Sequence, residues 1–213
     1  MSEPEFLFQV FEEDGVIVGA KGTGKTTRAK WIKSKIPEIP TWIYDYQWLF
    51  NGFGTTTHSI EDLQRGNFVF QPMDKSYATF EKFCYRIFDE KGNVRFPDMV
   101  IIWDEIHQYI SKQKSCPPLY SIVLSGRNQG ISNIFIATRP ASIPNWILTN
   151  STHCFAYRLH NKGDIEWLKD YIGDKAYLLL PADKRDKFQD LERIGLHSCV
   201  YRNQNQEESF IFD

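Results

Sequence analysis

An apolar strand that runs directly into a glycine-rich turn and then into a helix leaves a chain few folds to choose from. Residues 16–27 read Val-Ile-Val-Gly-Ala-Lys-Gly-Thr-Gly-Lys-Thr-Thr. The spacing is G-x-x-x-x-G-K-[ST], a P-loop, in the setting that gives the pattern its meaning: a buried strand before it and a helical run after it. Glycines let the main chain wrap closely around phosphates with N–H groups turned inward. Lys25 places a point charge on the β- and γ-phosphates, and the Thr26 hydroxyl is a ligand for Mg²⁺. The expected nucleotide-binding residues are Gly19, Ala20, Lys21, Gly22, Thr23, Gly24, Lys25, Thr26 and Thr27. A dinucleotide-binding G-x-G-x-x-G does not fit, because Gly22-Thr23-Gly24-Lys25-Thr26-Thr27 lacks the third glycine.

A second motif completes the first. Residues 99–105 read Met-Val-Ile-Ile-Trp-Asp-Glu, an apolar strand ending in two carboxylates (a Walker B element). Asp104, at the carboxyl end of a parallel strand, is expected to hold the metal with Thr26. Glu105 then stands where it can orient, or take a proton from, an attacking water. The two motifs imply hydrolysis of a nucleoside triphosphate with Mg²⁺.

The chain has 213 residues, the size of one P-loop domain spanning 1–213, and a formal charge of −2. That balance excludes a strongly basic coat but leaves room for local basic surface. No apolar run approaches a membrane span. The acidic N-terminus, Met-Ser-Glu-Pro-Glu-Phe, has no basic signal-peptide region, so a cytoplasmic location is expected. The four cysteines, Cys84, Cys116, Cys154 and Cys199, are scattered and expected to be free thiols. Aromatic residues make up 15 % of the chain and are read as core and interface, not as a base-stacking site.

Hydrophobic periodicity predicts strands at 16–18, 41–44, 67–70, 99–103, 133–137 and 154–159. Helices are predicted at 26–36, 77–89, 119–125 and 164–171, with a short one after Pro144. Residues 197–202 and 209–212 read as a hairpin. Strands alternating with helices predict an α/β fold of the RecA-like P-loop class: a mostly parallel sheet flanked by helices, closed by a C-terminal β-hairpin. Lys21, Arg28, Lys30, Lys33 and Lys35 are read as a solvated helix face around Lys25. The loop at 111–118, Ser-Lys-Gln-Lys-Ser-Cys-Pro-Pro, is read as a polar, basic surface loop, with contact to a nucleic-acid backbone in a ring-shaped motor as the alternative.

Ser125-Gly126-Arg127-Asn128-Gln129-Gly130-Ile131, followed by a strand ending in Thr138-Arg139-Pro140, resembles the FtsK–HerA superfamily of DNA-pumping ATPases, as does Asp104-Glu105-Ile106-His107. The resemblance covers 16 to about 173 and is greatest to the small genome-packaging ATPases of tailless icosahedral viruses, including those of archaea. It implies an ATP-driven double-stranded DNA translocase that fills a preformed capsid. It also implies a homo-oligomeric ring, hexamer or pentamer, and a capsid or vertex protein as partner. The location would be host cytoplasm, transiently a capsid vertex. By position, Arg127 matches the arginine that reaches the neighbour's γ-phosphate, with Arg139 as the competing candidate. Thr138 occupies the sensor position, where many members carry Gln. Glu105, Lys25, Arg127 and Thr138 form the implied catalytic set. His107 is read as a packed histidine, and Asp45 as a strand-end acid that the chemistry does not require.

Two rival classes leave traces. Asn161-Lys162-Gly163-Asp164 matches the guanine-reading N-K-x-D, and Asp89-Glu90-Lys91-Gly92 matches D-x-x-G, as in a GTPase switch. The latter ends a helical run instead of a buried strand. A small-molecule kinase would not need Glu105 and would carry an arginine-rich lid, which is not evident.

Overall fold

The computed structural model describes residues 13–89, 92–112, 114–180, 194–205 and 209–212. The acidic N-terminus, Glu90, Lys91, Gln113 and the hairpin tip at 206–208 lie outside the described residues. In chain order the elements are β1 (Gly15–Val18), α1 (Lys25–Lys35), β2 (Thr41–Tyr44), β3 (Thr55–Thr57), β4 (Phe68–Phe70), α2 (Tyr77–Ile87), β5 (Met99–Trp103), α3 (Pro117–Ser125), β6 (Ile131–Ala137), α4 (Asn145–Asn150), β7 (His153–Ala156), α5 (Lys162–Ile172), β8 (Cys199–Asn203) and β9 (Phe210–Phe212). They build one nine-stranded sheet ordered β3-β4-β2-β5-β6-β1-β7-β8-β9. Pairings from β3 through β7 are parallel, and β8 and β9 add an antiparallel hairpin at one edge.

The central strands are buried on both faces, so they read as continuous apolar runs and not as alternation. Alternate residues nevertheless serve different layers. Val16, Val18, Trp42, Tyr44, Met99, Ile101, Trp103 and Phe135 face a layer made by α2, α3, α4 and α5. Ile17, Ile43, Val100, Ile102, Ile134 and Ile136 face the other side, with Ala29 and Ile32 of α1 and Phe50. Most of the buried aromatic rings lie in the first layer. Tyr44, Phe70, Phe80, Phe83 and Trp103 meet at ring separations of 5.0–5.8 Å, and Phe80 stacks on Tyr109 at 4.4 Å. Such offset and edge contacts add to the burial each ring already gains. The four cysteines are buried free thiols, as expected. Among the described residues no helix is long and apolar enough to cross a membrane.

Sequence and structure part at a few places. The strand expected at 154–159 ends at Ala156, because the chain then turns over the P-loop: Tyr157 N donates to Val18 O, and Arg158 O accepts from Ala20 N. The helix expected to reach 89 ends at Ile87, with Phe88 bridged to Val94. β3, Thr-Thr-Thr at the sheet's outer edge, carries no hydrophobic signal.

Candidate nucleotide site at the carboxyl edge of the sheet

Strand register brings the site together. Val18 pairs with Ala137 and Ala156, and Tyr44 pairs with Trp103, so the turns after five parallel strands emerge along one edge. Open parallel sheets bind ligands at that edge. β6 lies between β1 and β5 and runs two residues beyond Phe135, the partner of Trp103. Thr138 therefore reaches the level of Glu105, between the P-loop strand and the acidic strand.

The P-loop conformation depends on glycine at two points. A Cβ on Gly19 would lie 2.5 Å from the Tyr157 Cβ, so only glycine lets β7's exit pass this close. Gly24, at φ +105°, turns the chain into α1 in a conformation that side chains strain. Thr23 Oγ1 and Lys25 Nζ both donate to Ala20 O, at 2.8 and 2.9 Å. The lysine is thereby folded back over its own loop. Burial lowers its ammonium below the ordinary lysine value, offset by the nearby Glu105 and Asp104. Thr26 and Thr27 open α1 and line the same cavity of about 590 Å³ as Lys21, Gly22, Gly24, Lys25, Glu105 and Thr138.

Asp104 and Glu105 are 2 % and 6 % exposed. Burial, then the neighbouring Glu105, push the Asp104 carboxyl up to about 7. Two buried carboxyls facing one ammonium form a site that lacks positive charge. Its hard oxygen donors, the Thr26 hydroxyl and the Asp104 carboxylate, suit Mg²⁺. Among the described residues no three His, Cys, Asp or Glu cluster as a metal cage.

Glu105 has a left-handed backbone, φ +50°. Such a conformation costs a non-glycine residue of order 1 kcal/mol or more and persists only where surroundings enforce it. Its Oε2 accepts from Thr138 Oγ1 at 2.5 Å, and its Oε1 from Gln47 Nε2 at 3.0 Å. His107 Nδ1 lies 3.2 Å from Oε2 but off any hydrogen-bonding direction, and burial lowers its basicity. His107 is a packed neutral ring against the acid, in keeping with its reading from sequence.

Three side chains at the cavity carry no sequence signature: Gln47, Leu49 and His197. The first two follow β2, the third precedes β8, and register alone brings them to the P-loop. Asp45 is fully buried and accepts from Leu49 N, Phe50 N and Gln71 Nε2, so it shapes the 46–50 turn. The supposed solvated face of α1 is partly wrong. Arg28 is buried and donates from Nε to Tyr157 Oη at 2.9 Å, and Lys33 is buried against three carbonyls.

Arg127 stands elsewhere. It belongs to a short 3₁₀ turn, Arg127–Gln129, that precedes β6, and it is exposed. The seven residues of β6 separate it from the carboxyl edge by ~20 Å. It cannot serve its own P-loop. Arg139 borders a second cavity beside the P-loop, with Lys21 and Thr138, and its Nε lies 3.7 Å from Asp164 Oδ2. The guanine-reading residues are occupied: Asn161 Oδ1 caps α5 at Gly163 N, and buried Asp164 accepts from Ala141 N. Asp89 closes a turn with Asn93.

No protein-family model matches the chain, and no curated protein matches it in sequence. Among solved structures, the genome packaging NTPase of Sulfolobus turreted icosahedral virus 2, in complex with AMPPCP, superposes with a TM-score of 0.73 at 18 % identity. The match covers 95 % of this chain and 98 % of that one. The DNA-packaging ATPase of Sulfolobus turreted icosahedral virus matches at TM-score 0.67 and 20 % identity, over 95 % and 97 % of the two chains. The conjugation coupling protein TcpA matches at 0.55 and 12 %, over 94 % of this chain and 59 % of that one. The likeness is one of fold, carried nearly end to end, and it agrees with the mostly parallel α/β P-loop sheet that the sequence predicts.

Proposed function

We propose that this protein is an ATP hydrolase coupled to translocation of double-stranded DNA, the motor that packages a viral genome into a preformed capsid. The observation that carries the chemistry is the convergence of Lys25, Thr26, Glu105 and Thr138 at one cavity from three elements far apart in sequence, with Asp104 buried next to Glu105. Residues 19–27 cradle the triphosphate with main-chain N–H groups, and Lys25 neutralises its terminal charge. Thr26 and Asp104 would hold Mg²⁺, which when bound would supply positive charge beside the transferring phosphoryl group. Glu105 takes the proton of the attacking water as the bond from the γ-phosphorus to the ADP oxygen breaks. Thr138 holds the Glu105 carboxylate.

The DNA and capsid parts rest on the fold likeness to packaging ATPases and on the sequence motifs around Arg127. Subunits form a ring in which Arg127 of one reaches the nucleotide of the next; the capsid or a vertex protein seats that ring. The test is hydrolysis of ATP and GTP over a range of protein concentrations, with and without double-stranded DNA, beside Glu105→Gln. ATP turnover should rise with concentration or DNA and fall roughly 100-fold or more in the variant. Turnover that prefers GTP, ignores DNA and survives Glu105→Gln overturns the reading.

A further inference from the structure

Gln47 is exposed, yet its position is fixed from several sides. The pairing of Tyr44 with Trp103 sets Asp45 beside Asp104, and the chain then crosses over the ends of β2 and β5. Asp45 takes the N–H groups of Leu49 and Phe50 at 2.8 and 3.0 Å, and Phe50 is sunk in the core with no exposure. Between these anchors Trp48 adopts φ +61°, a left-handed conformation that a large side chain rarely takes. A surface glutamine ordinarily spends its rotamer freedom in water. Here the strained turn delivers Gln47 to both acids at once: its main-chain N–H donates to Asp104 Oδ2 at 3.1 Å, and its amide to Glu105 Oε1 at 3.0 Å.

The chemistry of that amide suits one task. Thr138 already holds Oε2, so a second donor on Oε1 fixes the plane of the carboxylate as well as its direction. Each carboxylate oxygen has two lone pairs, so Oε1 can accept from Gln47 and still face a water. A neutral donor leaves the charge of Glu105 intact, whereas a lysine or arginine there would neutralise it. We infer that Gln47 is a positioning residue for hydrolysis, holding the Glu105 carboxylate in the orientation that meets the attacking water. The inference rests on the reading of Glu105 as the base.

Gln47→Ala isolates the side-chain bond, because alanine keeps the main-chain N–H to Asp104. Measured where wild-type turnover is maximal, it should lower kcat roughly 10-fold or more, the scale of a misplaced reacting group. KM, the affinity for a non-hydrolysable ATP analogue and the melting temperature should stay near wild type. Gln47→Asn, with an amide on a shorter stem, should recover part of the loss. Gln47→Glu, which sets a like charge against Glu105, should lose more than Gln47→Ala. In a Glu105→Gln background, Gln47→Ala should have no further effect, since it acts through Glu105. A Gln47→Ala enzyme with wild-type kcat overturns the inference, as does a loss that persists in full in the Glu105→Gln background. Wild type and Glu105→Gln measured alongside separate the two readings. Wild-type turnover that needs Glu105 but not the Gln47 amide overturns this inference alone; absent wild-type turnover overturns both.

Discussion

Asp14 is 4 % exposed at the start of β1, on the edge of the sheet away from the P-loop. Its Oδ1 accepts from Asn133 N at 2.6 Å and from Asn133 Nδ2 at 3.1 Å, while Asn133 Oδ1 accepts from Trp103 Nε1. A polar thread thus runs from Asp14 into the aromatic layer. Burial outweighs the two Asn133 bonds and pushes the Asp14 carboxyl up to about 7. The sign of the consequence is fixed. A carboxyl that keeps its proton longer when folded than when unfolded stabilises the fold in acid, and that contribution fades as pH rises from about 4 to about 7. Asp14→Asn keeps an oxygen for both Asn133 donors and never ionises. Its stability relative to wild type, from urea unfolding, should therefore grow between pH 5 and pH 8, by roughly 3 kcal/mol at most. An equal difference at both pH values would show that the folded Asp14 carboxyl titrates no higher than the unfolded one. The site itself was unevenly legible residue by residue. Lys25, Thr26, Asp104 and Glu105 lie inside two contiguous motifs whose chemistry dictates residue type. Gln47 could not be read, since a lone glutamine after a short strand has no distinguishing type, and its partners lie 57 and 58 residues away.

Elements were legible where packing repeats and obscure where it does not. β5 and β6 read as strands because five and seven consecutive buried positions admit little but apolar or small residues. α2 was legible from Phe80, Phe83 and Ile87 on one face. β3 was not, because an edge strand need not bury either face, and the 3₁₀ turns are too short to show a period. α1 is the instructive case. It is a helix by virtue of the P-loop that launches it, and four of its residues are cationic besides Lys25. The periodicity of Lys and Arg suggested solvent, yet Lys33 Nζ donates to the carbonyls of Ile36, Pro37 and Ile39 at 3.2, 3.1 and 2.9 Å. It closes the carboxyl end of α1 and the turn into β2, where a positive charge also suits the helix dipole. Lys33→Met keeps the aliphatic stem and removes the donors. It should cost about 1–3 kcal/mol in denaturant unfolding, with nucleotide affinity little changed. Lys35→Met, at an exposed position, should stay within ~0.5 kcal/mol. Equal effects of the two substitutions would mean that the carbonyls find water as readily as lysine.

At the scale of the whole molecule, the sheet sets the P-loop and Arg127 on opposite edges. The P-loop, Asp104 and Glu105 occupy the carboxyl edge, and Arg127 the amino edge beyond β6. A group that lies ~20 Å from its own site can act there only in another copy. The contact that would bring it there is head-to-tail: one subunit's amino edge meets the next subunit's carboxyl edge. A heterologous contact of that kind closes into a ring when its rotation permits. A guanidinium delivered across such an interface offers a planar, permanently charged fork to phosphate oxygens, and offers it only in the assembled state. This yields a test that no single-chain mechanism passes. Arg127→Ala and Glu105→Gln should each be nearly inactive alone. Mixed in equal amounts under conditions that allow subunits to exchange, they form some interfaces with an intact Glu105 on one side and an intact Arg127 on the other. Random assembly makes that fraction roughly a quarter of all interfaces, so a comparable share of wild-type turnover should return if each interface works independently. Mixing Arg127→Ala with Lys25→Ala should restore activity too, because both pairings place the two defects on different subunits. Arg139→Ala serves as the comparison. Arg139 stands beside its own P-loop, so if it supplied the working guanidinium within its chain, mixing Arg139→Ala with Glu105→Gln would restore nothing. Failure of Arg127→Ala to complement, with both variants correctly assembled, would remove Arg127 from the chemistry and leave the exposed arginine at the amino edge as a surface group.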